Sequence, residues 1–130
     1  MHTDLEGLTA ALLDAARKAG ADSADALAVA GTSVSIDVRM GKLEQAERSE
    51  GIDIGLRVLL GQRQACVSAS DISAGTIAAM AERAVAMARE APQDPTCGLA
   101  DPAQLAKDWD LAAFDLADPS AEPTPAALQE

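Results

Sequence analysis

The residues able to do chemistry are few in this chain, and their spacing limits what they could do. Cys66, Cys97 and His2 are the only cysteine and histidine residues. They form no Cys-x-x-Cys, and one histidine near the N-terminus does not complete the ligand set that a zinc site needs. Acyl transfer by Cys66 or a serine would need a neighbouring base, usually histidine, and none is in view. Gly51, Gly55, Gly61 and Gly75 do not make a phosphate loop, because none is followed by Lys-Ser/Thr at the required spacing. Paired carboxylates such as Asp108 and Asp110 could serve acid–base work, but with 21 acidic residues such pairs are expected by chance. Three side chains stand out as candidates for interaction. Arg57 interrupts an aliphatic strand on its outward face, where the plainer reading is a solvated or salt-bridged sheet residue. Trp109 and Phe114 are the only aromatic residues, and both lie in an acidic segment.

The elements that would position these residues are legible from periodicity. Gly51 to Ser70 reads as a hairpin. Ile52, Ile54, Leu56, Val58 and Leu60 alternate onto one face. Gly61-Gln62 turns the chain, and Ala65, Val67 and Ala69 return on the same side. Thr3 to Ala19 reads as a helix, with a capping box at Thr3 and Glu6 and an apolar stripe through Leu5, Leu8, Leu12, Ala15, Ala16 and Ala19. Asp25–Ala30, the weaker candidate, and Ser33–Met40 read as strand, either two strands or one long bent strand with a break near Gly31-Thr32. Val34, Ile36, Val38 and Met40 are expected to face inward. Leu43–Glu50 follows as a polar strand suited to an edge. Ser73 caps a second helix running to about Ala91, where Pro92 stops it. Ile72 and Ile77 form its hydrophobic staple, and Ile77, Met80, Ala81, Ala84, Met87 and Ala88 its apolar face.

The fold class expected is therefore α+β: an antiparallel sheet of three to five strands, with two helices packed on one face. Residues 1–91 read as the domain. Residues 92–130 read as an acidic linker, which holds all six prolines of the chain. The start of a helix at Thr124-Pro125 suggests that the sequence is the N-terminal part of something longer.

Composition narrows the function classes. The chain has 130 residues and a net charge of −11, with no basic stripe. Phosphate neutralisation supplies most nonspecific nucleic-acid affinity, so a nucleic-acid binder is not expected. The N-terminal residues lack the basic start and apolar run of a signal peptide, and no apolar run approaches the ~20 residues that cross a bilayer. Two cysteines are not a disulfide framework, and reduced thiols in the cytoplasm are the expected state.

Several motifs in order resemble the TldD/PmbA family, also called modulators of DNA gyrase. They are Ala19–Ala26, Val38–Glu44, the Gly-x-x-x-Gly-Leu-Arg-Val strand at Gly51, Gly55, Leu56, Arg57 and Val58, the Ser-x-Ser-Asp-Ile-Ser junction at Ser68–Ser73, and Asp94–Asp101. The last is similar to the linker of the PmbA-type (TldE-like) subunit. The resemblance implies a cytoplasmic metalloprotease of two related subunits. Its TldD-type subunit carries a His-Glu-x-x-x-His motif and a further cysteine ligand, and no residue here matches them. Zinc is thus expected only in the TldD-type partner, with no cofactor in this chain.

The resemblance implies the noncatalytic N-terminal domain of a PmbA/TldE-like subunit, inactive alone, that contributes to assembly and to handling of the peptide substrate. Its implied partners are the TldD-type subunit and the peptide, with a homo-oligomer as the other assembly left open and no nucleic acid or membrane. The alternative is a free-standing module that binds peptides by adding them to its sheet edge. A third reading, a small hydrolase using Cys66, would be settled by the activity of Cys66→Ala.

Overall fold

The computed structural model describes residues 3–130, so His2 lies outside the described residues. Its elements are α1 (Leu5–Ala19), β1 (Ser23–Arg39), β2 (Lys42–Leu60), β3 (Arg63–Ala69) and α2 (Ala74–Glu90), followed by two short 3-10 turns, Pro102–Gln104 and Leu111–Phe114. The three strands form one sheet in the order β1-β2-β3. Each consecutive pair is joined by a two-residue connection, which only antiparallel strands allow. The fold is therefore α+β, with three strands and two helices.

The first helix begins one residue later than the capping box implies. Asp4 is the cap, and its carboxylate accepts from the Gly7 N–H at 2.8 Å. A carboxylate at this position satisfies an orphan donor and also meets the helix dipole, so it prevails over Thr3. The second helix starts where expected: the Ser73 hydroxyl accepts from the Thr76 N–H at 3.3 Å. Its apolar face is rotated slightly. Val85 is buried, whereas Met87 is 46% exposed. At ~100° per residue, Val85 falls about 40° beyond Ala81, while Met87 lies at the opposite margin of the stripe, about 20° beyond Met80.

The strands are longer than the alternation suggested. β1 runs through Gly31 without a break, and β2 runs through Gly51, joining the polar Leu43–Glu50 stretch to the aliphatic one. Cross-strand pairing carries the chain through these glycines more strongly than local composition interrupts it. The β1–β2 connection is Met40-Gly41, with φ of 50° and 73°. A two-residue turn with both central residues left-handed matches the twist of a hairpin. Glycine takes that conformation freely, whereas Met40 costs on the order of 1 kcal/mol. Met40 is thus a turn residue, 93% exposed, and Val38 is 44% exposed. The inward reading of these two is corrected, while Val34 and Ile36 are half-buried.

Two compact units share the sheet. The first comprises the described residues up to Thr32 together with Glu50–Leu99; the second comprises Ser33–Ser49 with Ala100–Glu130. In the first, β2 and β3 pair with Ile54 opposite Ala69, Leu56 opposite Val67 and Val58 opposite Ala65. That register puts their apolar residues on one face, where α1 supplies Leu12 and Ala16, and α2 supplies Ile77, Met80, Ala81, Ala84, Val85 and Ala88. Small alanines let the helices approach closely, so an almost aromatic-free core still packs. Leu59 points to the opposite face yet is only 2% exposed.

In the second unit, the β1–β2 hairpin segments and residues 100–130 carry almost no buried side chain. The expected helix start at Thr124-Pro125 forms one turn only. The Thr124 hydroxyl accepts from the Ala127 N–H at 3.2 Å, and its carbonyl from the Leu128 N–H at 3.1 Å. Among the described residues, no helix is long and apolar enough to cross a membrane.

Candidate functional site

Arg57 is held on the outward face of β2 by its neighbours on both sides. Its Nε donates to Asp25 Oδ1 at 2.9 Å and its Nη2 to Asp25 Oδ2 at 2.6 Å, a fork on a carboxylate. Nη1 donates to Gln64 Oε1 at 3.3 Å. The hydrogen bonds it donates to Asp25 raise the Arg57 pKa above its ordinary value against the cost of partial burial, and the charge of Asp25 adds to the rise. The guanidinium is a permanent, oriented cation tying β1, β2 and β3 together. Its side chain is 32% exposed.

The pair lines an open groove of about 540 Å³. Leu27, Gly55, Cys66 and Ser68 are among the other residues that line it. Gly55 sits opposite Ser68 in the middle of the sheet. A methyl group added there would meet only the Val67 carbonyl oxygen, at 4.0 Å. No packing among the described residues therefore requires glycine at this place; its effect is to leave space in the groove. Leu27 is 66% exposed and Val29 49% exposed. An apolar strip beside a fixed guanidinium can hold a side chain or backbone segment of a partner, but it contains no nucleophile–base pair.

The helix entry at Asp71-Ile72-Ser73 is another polar cluster of the first unit. The Asp71 carboxylate accepts from the Thr76 hydroxyl, from the Ser73 N–H at 2.9 Å and from the Ser73 hydroxyl at 3.1 Å. These bonds, that from Thr76 first, hold its pKa below the usual carboxylate range. Asp94 and Asp118 are lowered likewise, by Thr96 and Ser120 respectively. All are local turn and cap geometries.

The structure separates the remaining candidates. Cys66 is exposed and Cys97 half-buried, both as free thiols. Trp109 is 75% exposed and Phe114 60% exposed. The Trp109 Nε1 donates to the Ala106 carbonyl at 2.9 Å, so the ring is anchored by its own segment. Among the described residues no three His, Cys, Asp or Glu side chains converge as a metal site would need. The described residues thus supply no ligand set for a zinc ion. The open floor at Gly55 escaped the sequence reading, although a glycine between aliphatic strand residues was a signal for it.

Comparison with known proteins gives a consistent answer. Residues 24–88 match the family model described as PmbA/TldA metallopeptidase domain 1. The chain is 33% identical over 106 residues to the metalloprotease PmbA homolog of Haemophilus influenzae, covering 82% of this chain and 22% of that protein. It is 32% identical over 99 residues to metalloprotease PmbA of Escherichia coli O157:H7, covering 76% of this chain and 22% of that one. It thus spans about a fifth of the length of these relatives. Among solved structures, a protein described as a modulator of DNA gyrase from Bacteroides thetaiotaomicron superposes with a TM-score of 0.75 at 20% identity, over 84% of this chain and 25% of that one. TldE from Thermococcus kodakarensis superposes with a TM-score of 0.65 at 16% identity, over 92% and 26% respectively. At such identities the structural likeness concerns the fold.

Proposed function

Because the chain belongs to the PmbA/TldD metallopeptidase family, matching its first domain, we propose that it is a noncatalytic domain of a PmbA/TldE-like subunit. It serves assembly with a TldD-type subunit and handling of a peptide substrate in the cytoplasm. The observation that carries this reading is the family match over residues 24–88 in a chain whose described residues bring no metal-ligand set together. In this reading, zinc and the hydrolytic groups belong to the TldD-type partner. This chain supplies a surface: the groove lined by Leu27, Gly55 and Arg57. The exposed aromatics Trp109 and Phe114 supply a second contact, since each has a large apolar area to cover.

Titration of the chain with a TldD-type subunit tests the proposal. Trp109 is the sole tryptophan, so tryptophan-free variants of the partner leave its fluorescence as a direct reporter. Binding with a blue shift and protection from acrylamide is expected. No association at tens of micromolar would refute it.

A second reading follows from the sheet itself. With the order β1-β2-β3, β1 and β3 are edges with backbone groups open to an added strand. A free-standing peptide module would bind extended peptides through these edges with no TldD-type subunit present, and amide shifts confined to β1 or β3 would identify it.

A further inference from the structure

β2 has a neighbour on its β3 side along only part of its length. β3 pairs with it from Ile54 to Leu60, so on that side the backbone groups of Lys42–Asp53 face no strand among the described residues. Every residue from Lys42 to Gly51 is exposed. A two-stranded ribbon is marginally stable in water by itself, and an open edge is a template for another strand. The charges along this edge are ordered. Read outward from Ala46, Glu44 and Arg48 stand two residues to either side, and Lys42 and Glu50 stand four. Each of these charges thus has its opposite at the mirror position. Charges on an edge strand ordinarily discourage pairing. An identical strand laid antiparallel sets every one of these against its opposite, and opposite charges directly across a ladder stabilise it.

We propose that Lys42–Glu50 is a self-complementary edge through which two copies of this chain pair into a twofold dimer, with Ala46 on the axis. A twofold axis normal to an antiparallel sheet sets one residue opposite its own copy. Glu44, Glu47, Arg48 or Glu50 at that place would set like charges together, and Gln45 would set Lys42 against Arg48. Ser49 would carry Lys42 and Leu43 of the second copy onto the edge that β3 already occupies. Ala46 pairs Lys42 with Glu50 and Glu44 with Arg48, each twice by symmetry, and sets Gln45 beside Glu47 on the other face. The same register brings Met40 of the second copy opposite Ile52, just before β3 begins to pair. An open cleft of about 530 Å³ lies there, with Gly51, Ile52, Ser70 and Ile72 in its lining. Met40 is 93% exposed and left-handed in its turn, at φ 50°. The dimer gives this adaptable apolar side chain the cover that it lacks in the single chain. Two ion pairs within the chain, Arg39–Glu44 and Arg48–Glu122, must be shared or exchanged. Their side chains are between 49% and 70% exposed, and pairs so open to water are weak. This inference goes beyond the proteolytic reading and does not rest on it.

Sedimentation equilibrium of the full chain tests the proposal, with circular dichroism and urea midpoints to verify folding. Lys42→Glu with Arg48→Glu makes the edge acidic throughout, and Glu44→Lys with Glu50→Lys makes it basic throughout. Each variant alone is expected to self-associate at least about tenfold more weakly than the parent chain, since the opposed charges across the ladder become alike. The basic-edge variant carries the smaller net charge, so general repulsion does not explain its loss. Mixed one to one, the two variants are expected to form a heterodimer of parental strength, because every opposed pair is again of opposite sign. Met40→Gly relieves the left-handed turn. It is expected to keep or raise the urea midpoint of the monomer while weakening the dimer. A parent chain that stays monomeric into the millimolar range, or dimerisation indifferent to both charge reversals, would overturn the proposal. So would a mixture of the two edge variants that does not associate, or a Met40→Gly chain that dimerises as the parent does.

Discussion

At the scale of single residues, Arg57 and Gly55 show how far the sequence speaks. Arg57 was conspicuous because a cation in an aliphatic strand needs a reason. Its partners Asp25 and Gln64 were not legible, since they come from the neighbouring strands and depend on register. As a partly exposed pair, Arg57–Asp25 contributes roughly 0.2–1 kcal/mol to the fold, too little to account for so constrained a geometry by stability alone. Gly55 makes the sharper test. With only the Val67 oxygen at 4.0 Å from an added methyl group and no positive φ, Gly55→Ala is expected to keep or raise stability by about 0.4–1 kcal/mol. The same variant fills the groove floor and should weaken partner binding. A large loss of urea stability would show that the glycine serves the fold instead. Asp71 carries a second expectation. Its carboxyl titrates below the usual range because Thr76 and Ser73 donate to its ionised form. A depressed folded-state pKa stabilises above the unfolded value and is lost as pH falls through the folded one. Asp71→Asn should therefore flatten the acid limb of the stability profile, and carbon-detected titration should place the Asp71 midpoint below the ~3.9 of an unstructured aspartate.

At the scale of elements, helices were read better than strands. α1 and α2 carry local signals: a cap, a stripe of one period and a stop. Their ends shifted by a residue where Asp4 replaced Thr3 as the cap. The strands were cut short at Gly31 and Gly51 because a glycine in isolation resembles a boundary, and only cross-strand pairing reveals continuity. Met40 was misplaced for a related reason. Alternation extrapolates an apolar residue inward, whereas the two-residue connection assigns it a left-handed turn. The central stretch of β2 was read correctly, since five aliphatic positions at period two leave few alternatives. Leu56 is its midpoint, 2% exposed and within the cluster formed with both helices. Leu56→Ala should cost about 2–5 kcal/mol, read from the urea midpoint at unchanged slope. A shift equivalent to under ~0.5 kcal/mol would be inconsistent with a core at that position.

At the scale of the whole molecule, charge and ligand inventory say most. A net charge of −11 favours encounter with cationic surfaces. Family membership was legible from motifs in order, whereas the groove beside Arg57 and the Arg48–Glu122 ion pair were not, because they depend on tertiary contacts between distant residues. The central claim is that this chain works by contact and leaves hydrolysis to a partner. The most direct test is peptide cleavage by the purified chain in the presence of zinc, with and without a TldD-type subunit and with a chelator as control. The account predicts no cleavage by the chain alone at any zinc concentration, and chelator-sensitive cleavage only when the TldD-type subunit is present. Chelator-sensitive cleavage by the chain on its own would contradict it.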